Sequence, residues 1–359
     1  MHELTFKGLL ELDRGVHIKL DVIDKKIIAI LNENARATPL FIATIVGISK
    51  SSVRYRIERL KQLDIIRGNT IIVNPYKFGF SYYTIFFRLQ NVDDKKELQI
   101  MQYIALHPYT IWTGVCINWD VGIQLFAHNE HHLQEIIKNI EMQCSPHVKE
   151  IQIIPIISIL SYRTIPHTFA KNLRLKIEFL RRDASFGSII KRKRVDKTNE
   201  VAKLDALDAF ILKTLSKNAT TSFSAMAKEG HTTIDTVRHR IERLIKEQVI
   251  LSFNPLLNAS YLGFQPYVIL LKVKPSASVA LLEAFLQERI QFAFKTYGIW
   301  NYILWHGFEN ELELFYLVRE IRNKFQDAIA SFDTISVIKD FKFNLIPEGV
   351  LKDIQERKS

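Results

Sequence analysis

The sequence predicts an α+β protein in which one two-part unit occurs twice in tandem. The chain of 359 residues is long enough for two to four domains, each with its own core. A shift of 184 positions aligns its two halves, and residues 53–60 (VRYRIERL) match residues 237–244 (VRHRIERL). In each half, apolar residues recur first at helical spacing and then in β-rich runs separated by helices. A period this long indicates duplicated domains rather than a solenoid, whose repeats span about 20–50 residues.

The first helical domain begins near Leu20. Its apolar residues between Ile23 and Leu31 recur at helical spacing, and a second short helix follows Thr38-Pro39. Gly47 supplies a tight turn, and Ser49 caps a third helix that runs to about Leu63. This order of helix, short helix, tight turn and basic third helix is typical of a helix-turn-helix, which places its last helix in the DNA major groove.

A hairpin is predicted directly after the third helix. The β-rich segment 65–73 has a Gly-Asn pair at its centre, which suits the two-residue turn of a wing. Arg67 and Asn69 near its tip are predicted to contact phosphate. The Asn-Pro pairs at Asn74 and Asn254 are 180 positions apart instead of 184, so the wing of the second copy is predicted to be four residues shorter.

Each helical domain is followed by the element order βαββαβ, which is the ferredoxin-like arrangement. In the first half, strands are predicted at 82–89, 109–117, 121–127 and 148–158, and helices at 95–106 and 130–143. In the second half, strands are predicted at 267–273, 292–299, 301–307 and 335–345, and helices at 278–288 and 311–330. The fold class is therefore α+β, with two winged helix-turn-helix domains and two ferredoxin-like domains in tandem.

The domain boundaries follow from these elements. They are an N-terminal extension (1–19), winged helix-turn-helix 1 (20–78), ferredoxin-like regulatory domain 1 (79–160), a basic linker (161–203), winged helix-turn-helix 2 (204–262), ferredoxin-like regulatory domain 2 (263–347) and a C-terminal tail (348–359).

The net charge of +11 is distributed unevenly. Residues 20–75 contain 9 Lys and Arg against 5 Asp and Glu, and residues 161–203 contain 12 against 4. Residues 204–255 contain 7 against 6, so the second helix-turn-helix is nearly neutral. A polyanion partner explains such clusters, and the linker is predicted either to lie along phosphate or to be a solvated helix.

Composition excludes several other classes of protein. The longest apolar runs, such as Ile153–Ile157, are far shorter than the roughly 20 residues that a membrane-spanning helix needs. The N-terminus has no signal-peptide pattern. Cys116 and Cys144 have no metal-like spacing, so neither a disulfide framework, a metal site nor a cofactor is predicted. We therefore expect a cytoplasmic protein without a membrane partner.

The motifs of the first half resemble the leucine-responsive regulator/AsnC (Lrp/AsnC) family of transcription regulators. The resemblance rests on Leu20–Ile28, Asn34–Arg36, Gly47–Ser49 and residues 53–60, together with Asn74-Pro75 and Gly79. It implies a prokaryotic, nucleoid-associated protein that binds double-stranded DNA. An amino-acid effector and a homo-oligomer are further partners that the family implies. A tandem chain would hold within itself what a dimer of the family normally holds.

The second copy departs from this pattern. His231 and Thr232 replace Gly47 and Ile48, so the tight turn is predicted to shift toward Gly230. Ile234 and Asp235 replace a lysine and a serine at the start of the recognition helix. Phosphate repels a carboxylate at this position, so the second copy is predicted to bind DNA more weakly.

The resemblance and the helical spacing together predict the site residues. The predicted DNA-binding residues are Lys50, Ser51, Ser52, Arg54, Tyr55, Arg56, Arg59, Arg67, Asn69, Arg238, His239 and Arg240, with Arg56, Arg59 and Arg67 nearer the phosphates or the packing interface. The family's effector lies near the turn between the two central strands, which implies Gly114, Asp120, Gly298 and Asn301 here. Asp120 and Asn301 are at least as well explained as residues that cap a hairpin turn.

Two other functions remain open. The family also resembles siroheme decarboxylases, which use the same pair of folds on a tetrapyrrole, and His107, His128, His131, His132, His147 and His306 are the candidate residues for such a site. The sequence shows no cluster of catalytic residues, so no catalytic residue is assigned and a non-enzyme is predicted. The third reading is a ligand sensor or scaffold that uses both helix-turn-helix units for packing.

Overall fold

A computed structural model describes residues 18–171, 173 and 192–356. Nearly all of the predicted N-terminal extension and the central part of the basic linker lie outside the described residues. The described chain confirms the predicted fold class: two helix-turn-helix units and two βαββαβ domains alternate along it.

In the first half, the structure places the helices α1 (Val22–Glu33), α2 (Pro39–Val46), α3 (Lys50–Gln62), α4 (Asp94–Leu106), α5 (Glu130–Cys144) and α6 (His167–Lys171), and the strands β1 (Ile66–Val73), β2 (Ser81–Leu89), β3 (Thr110–Ile117), β4 (Val121–Ala127), β5 (Val148–Tyr162) and β6 (Val195–Asp196). In the second half it places the helices α7 (Ala206–Lys217), α8 (Phe223–Glu229), α9 (Ile234–Lys246), α10 (Ala280–Arg289), α11 (Glu311–Lys324) and α12 (Glu348–Glu356), and the strands β7 (Ile250–Leu257), β8 (Gln265–Val273), β9 (Phe292–Thr296), β10 (Tyr302–Phe308) and β11 (Ile329–Phe343). None of these helices is both long and apolar enough to cross a membrane.

The helices of the first unit begin at capping residues. The side chains of Asp21, Thr38 and Ser49 accept hydrogen bonds from backbone N–H groups in the first turns of α1, α2 and α3. Gly47 takes the left-handed conformation (φ 78°) at the turn before α3. In the second unit His231 itself takes this conformation (φ 49°), so the predicted shift of the turn to Gly230 is wrong.

The two predicted wing hairpins do not form. Each segment is one continuous strand, and β1 pairs antiparallel with β7 of the other unit in a two-stranded sheet, with Ile66 opposite Leu257 and Val73 opposite Ile250. A hairpin within 65–73 would have arms of only a few residues, and an isolated hairpin is marginal in water. Pairing across the units gives eight-residue strands and buries both faces around Ile71.

The second strand is not shorter than the first. Both strands have eight residues and lie exactly 184 positions apart, so Asn74 corresponds to Asn258. The backbone N–H of Asn74 donates to the Val249 carbonyl, and that of Asn258 donates to the Ile65 carbonyl, both at 3.0 Å. The Asn-Pro pair at Asn254 therefore lies inside β7, where a proline is tolerated because the strand has only one neighbour.

The two ferredoxin-like domains share one closed sheet. Its strands follow the order β2-β4-β3-β11-β8-β10-β9-β5, and β5 also pairs with β2, which closes an eight-stranded barrel; β6 adds to the edge of β5. The pairs β3–β11 and β5–β9 join the two halves and are equivalent under the repeat. Each half therefore completes the sheet of the other.

Aromatic side chains fill the inside of the barrel. Trp112 from the first half meets Trp305 from the second edge to face at 4.5 Å between ring centroids, and Tyr82 meets Phe294 at 5.5 Å. The ring of Trp112 lies against Gly114, where an added Cβ would stand 2.3 Å from a ring carbon. This buried cluster continues into the second helix-turn-helix unit.

Two segments near the C-terminus differ from the expectation. The predicted helix 311–330 ends at Lys324, because the backbone N–H groups of Ala328 and Ile329 turn back to the Phe325 carbonyl and Ile329 begins β11 opposite Val273. The predicted tail contains the helix α12. The sequence Ile-Pro precedes both α6 and α12, and each of these helices packs against the first helix of a helix-turn-helix unit, α1 or α7.

Candidate nucleic-acid interface

The N-terminal part of α3 presents polar and cationic side chains to solvent. Val53 and Leu60 are buried against the rest of the unit, whereas Lys50, Arg54 and Tyr55 are exposed. Tyr55 is 69% exposed, which is unusual for a large aromatic side chain that contacts no binding partner. In the described part of the chain, no ion pair or side-chain hydrogen bond involves Lys50 or Arg54. These side chains are free to contact a ligand.

Ser51 and Ser52 lie at the same end of the helix. Their hydroxyl groups are within 2.9 and 2.8 Å of the capping hydroxyl of Ser49. Together with Ile48, Tyr55, Arg56 and Arg59 they line a shallow, open groove.

Arg56 and Arg59 are held inside the unit. The fully buried carboxylate of Asp24 accepts from Arg56 at 2.8 Å and also from Arg59, and Arg56 reaches Asp21 at 2.6 Å. Hydrogen bonds to these carboxylates raise the pKa of Arg56. The predicted packing role of both arginines is therefore present in the structure, because a buried carboxylate requires its partners, and both side chains also line the groove.

The predicted wing contacts change with the wing. Arg67 lies on β1, and its Nε atom is 3.0 Å from the Asp64 carboxylate. Asn69 is half-buried opposite Pro255, and its carbonyl accepts from the Ala219 N–H at 3.0 Å. Neither residue lies at a hairpin tip, so the geometry gives no basis for the predicted phosphate contacts of Asn69.

The matching helix α9 has a different surface. Ile234 and Asp235 are exposed at its start, and Arg238 forms an ion pair with Asp235 at 3.1 Å. His239 is exposed next to Glu242. Arg240 is held by Asp205 and the buried Asp208, as Arg56 is in the first unit. The predicted DNA-binding residues that face solvent here are thus Arg238 and His239.

Arg36 connects the two helix-turn-helix units, a role that the sequence did not predict. Its guanidinium donates to the Ala219 carbonyl at 2.6 Å and to the Thr221 carbonyl at 3.2 Å. It also lies over the rings of Phe223 and Phe253 at 4.8 and 5.7 Å. Burial lowers its pKa to about 10, which leaves it charged at neutral pH. The sequence shows no sign of this contact, because its acceptors are backbone carbonyls of the other half.

The described end of the basic linker makes internal ion pairs. Arg192 binds Glu33 at 2.9 Å, and Arg194 binds Asp196 at 2.6 Å and Glu283 at 2.5 Å. These arginines fasten the linker to both halves. The basic segment 174–191 lies outside the described residues.

The residues predicted for an effector have contacts within the fold. The Asp120 carboxylate accepts from the Leu89 N–H at 2.6 Å, and the Asn301 side chain accepts from the Val273 N–H at 2.8 Å. The two side chains therefore bind the last backbone N–H group of β2 and of β8, which are equivalent strands of the two halves. Gly114 lies inside the barrel, and Gly298 takes a φ of 113° in the turn after β9. The structure gives these four residues turn and packing roles.

Three of the six histidines considered for a tetrapyrrole site lie together, and the other three lie apart from them. His107, His128 and His132 surround Tyr109, and His128 and Tyr109 both contact the Asp353 carboxylate of α12 at 2.9 Å. His306 lies buried in the other half. His131 pairs with Glu135, and His147 approaches the Gln90 carbonyl. Among the described residues, no group of three or more His, Cys, Asp or Glu side chains could hold a metal ion.

Comparison with known proteins matches both helical units. The model of the AsnC-type helix-turn-helix domain matches residues 20–61 and 204–245. The transcriptional regulator LrpA of Pyrococcus abyssi is 46% identical over 66 residues, which are 18% of this chain and 47% of LrpA, so the match spans about half of that relative. An uncharacterized HTH-type transcriptional regulator of Pyrococcus furiosus is 30% identical over 119 residues, 33% of this chain and 79% of that protein.

Solved structures resemble the chain at two scales. The siroheme decarboxylase NirDL matches 93% of this chain and 98% of its own, with a TM-score of 0.53 at 14% identity, which establishes a shared fold. AsnC of E. coli matches 39% of this chain and 93% of its own, with a TM-score of 0.35 at 20% identity.

Proposed function

Because this chain belongs to the Lrp/AsnC family of helix-turn-helix transcription regulators, we propose that it is a sequence-specific DNA-binding regulator with two DNA-binding heads in one chain. The observation that supports this most strongly is the exposed N-terminal part of α3, where Lys50 and Arg54 have no partner within the described protein. A helix that buries one stripe and presents cations beside exposed hydroxyl groups suits the major groove.

The proposed contacts divide by chemistry. Arg54 and Lys50 have the donors that guanine O6 and N7 accept, and Ser51 and Ser52 can donate to a base edge or a phosphate. Tyr55 offers a ring to a thymine methyl group and a hydroxyl to phosphate. On α9, Arg238 and His239 are the proposed contacts. Arg56, Arg59 and Arg240 instead hold the two helices in place.

Substitution of Arg54 tests this proposal. An Arg54→Ala variant should lose about 1–3 kcal/mol of binding free energy on the preferred site, roughly 5- to 150-fold in Kd, and should tolerate changes at one base pair. Fluorescence anisotropy on the preferred duplex and on single-base variants measures this loss. Arg319→Ala is the matched control, since Arg319 is exposed on α11, a helix of the second ferredoxin-like domain. Equal loss on every sequence would reassign Arg54 to phosphate, and no loss would remove it from the interface.

Salt dependence tests the proposal as a whole. Neutralising 6–10 phosphates releases counterions, and affinity then falls by about 10³–10⁵ between 50 and 200 mM salt. A flat response would contradict DNA binding.

The family also supports a cytoplasmic location on the nucleoid, an amino-acid effector and a homo-oligomer as parts of the proposal. Screening amino acids for a change in DNA affinity tests the effector.

A siroheme-decarboxylase-like enzyme is the second candidate. The observation in its favour is that NirDL matches nearly the whole tandem chain, and a crystal structure of NirDL is a complex with an iron-uroporphyrin III analogue. Only three of the six candidate histidines lie together, around Tyr109, and His306 is buried in the other half, which counts against one site that uses them all. Similarity at 14% identity supports only a common fold. A titration with siroheme decides: an unchanged absorbance spectrum would dispose of this candidate.

A further inference from the structure

The two helix-turn-helix units can be compared position by position. The offset of 184 holds from Asp21, which caps α1, to Gly263, which corresponds to Gly79. Backbone conformations follow the same offset: Asp64 and Gln248 have φ values of 56° and 58°. The term base-reading positions denotes residues 50, 51, 54 and 55 on α3 and the equivalent residues 234, 235, 238 and 239 on α9. Differences at these positions are differences in chemistry on one shared backbone.

Three of the four base-reading positions differ between the units. Lys50 corresponds to Ile234, Ser51 to Asp235 and Tyr55 to His239. All six side chains are exposed, so their identities are not dictated by packing. At these three positions the first helix presents one cation and two hydroxyl groups, whereas the second presents an apolar side chain, a carboxylate and an imidazole.

The remaining position is altered indirectly. Arg54 and Arg238 are equivalent, yet of the two only Arg238 forms an ion pair with an acidic residue of its own helix, at 3.1 Å from Asp235. This pair is exposed and weak, so DNA can displace it. The carboxylate nevertheless repels phosphate and can accept from the amino group of cytosine, and Ile234 can pack against a thymine methyl group.

The two units are also held in one fixed relation. The β1–β7 ladder joins them, and the Arg36 guanidinium binds backbone carbonyls of the second unit, a contact that Thr220, its equivalent, does not return. In a homodimer both heads would be identical and would favour a palindrome. Here the two recognition helices differ and belong to one chain, so turning the protein around on the DNA would place each helix on the half-site of the other.

We propose that the chain binds a non-palindromic DNA site, composed of two unlike half-sites, in a single orientation. The half-site of α3 is the one with guanines for Arg54 and Lys50, and the half-site of α9 has a cytosine for Asp235 and a thymine for Ile234. This inference rests on the proposed DNA-binding function. It adds that the bound protein has a direction along the duplex.

Selection of bound duplexes from a random library by the full chain, followed by sequencing, tests the inference. Two half-sites of different sequence at one fixed spacing are expected. A palindrome would overturn the inference while leaving DNA binding intact, and a single half-site would overturn it as well. A library that is not enriched at low salt would count against the proposed function itself.

A matched pair of variants locates the asymmetry. The double variant Ile234→Lys, Asp235→Ser gives α9 the first two base-reading side chains of α3, and both positions are exposed. It should bind a palindrome of the α3 half-site at least tenfold more tightly than the wild type does. Ser51→Asp on α3 should weaken binding to the same palindrome by a similar factor. Unchanged affinities in both variants would overturn the proposed base assignments.

Discussion

At the scale of single residues, the same ion-pair cluster occurs in both helix-turn-helix units. Asp24 binds Arg56 and Arg59, and Asp208 binds Arg240 and Arg243, with both carboxylates fully buried. These contacts tie the first helix to the recognition helix in each unit. The sequence showed the aspartates and arginines as a repeated pattern, but the arginines also suited phosphate. Only burial of the carboxylates distinguishes the two roles.

Removal of Asp24 should destabilise the protein strongly. An Asp24→Ala variant leaves Arg56 and Arg59 without the carboxylate that they bind, and breaking a buried ion pair costs about 3–5 kcal/mol. Urea denaturation measures the free energy of unfolding. Glu58→Ala is the control, because Glu58 forms an exposed pair with Lys61 that is worth at most about 1 kcal/mol. Equal losses in the two variants would show that the burial of Asp24 has no special importance.

His306 should make stability depend on pH. Burial lowers the pKa of His306 to about 3, so the folded protein holds it neutral while the unfolded chain binds a proton below pH 6.5. Stability from this group is complete above pH 6.5 and is lost as the pH falls toward 3. The loss between pH 7 and pH 5 is about 2 kcal/mol for one group.

A His306→Gln variant isolates that contribution. Its free energy of unfolding should fall less steeply between pH 7 and pH 5 than that of the wild type. His107, whose pKa burial lowers to about 4, remains in both proteins and keeps a residual slope in each. Parallel slopes for the two proteins would show that His306 is not held neutral by the fold.

At the scale of elements, the sequence predicted the helices well because their signals are local. The capping residue Ser49 lies one turn before Val53, and Val53 lies two turns before Leu60 on the same apolar stripe. The partner of β1 could not be predicted in this way. A Gly-Asn pair inside a β-rich run fits a hairpin as well as a continuous strand, and the strand that pairs with β1 begins at Ile250. Likewise, Asn254-Pro255 imitated the equivalent of Asn74-Pro75 because the residue types agree.

The contact of Arg36 is expected to hold the two recognition helices in register. An Arg36→Ala variant loses two hydrogen bonds to carbonyls and its contacts with two rings, at a cost of about 1–3 kcal/mol. Spin labels at Ser52→Cys and Thr236→Cys should show a broader distance distribution in this variant. Both native cysteines are buried, which favours labelling of the introduced ones.

Arg54→Ala is the control for this experiment, since Arg54 has no partner within the described protein. It should change neither the free energy of unfolding nor the distance distribution. A distribution that stays narrow in Arg36→Ala would assign the fixed spacing to the β1–β7 ladder alone.

At the scale of the whole molecule, the duplication closes on itself. Each half supplies the strands that the other needs, so one chain forms the eight-stranded barrel and the shared β1–β7 sheet. The sequence predicted two domains of each kind but not their union, because the joining pairs β3–β11 and β5–β9 connect residues of opposite halves. The same union explains why unlike recognition helices can be kept at one spacing.

Hydroxyl-radical footprinting of the full chain on its preferred duplex tests DNA binding by two joined heads most directly. Two protected half-sites are predicted, separated by a whole number of helical turns of about 10–10.5 base pairs, and Arg54→Ala should weaken protection of one half-site only. A duplex without protection at low salt, or with one protected half-site that Arg54→Ala leaves unchanged, would contradict the account.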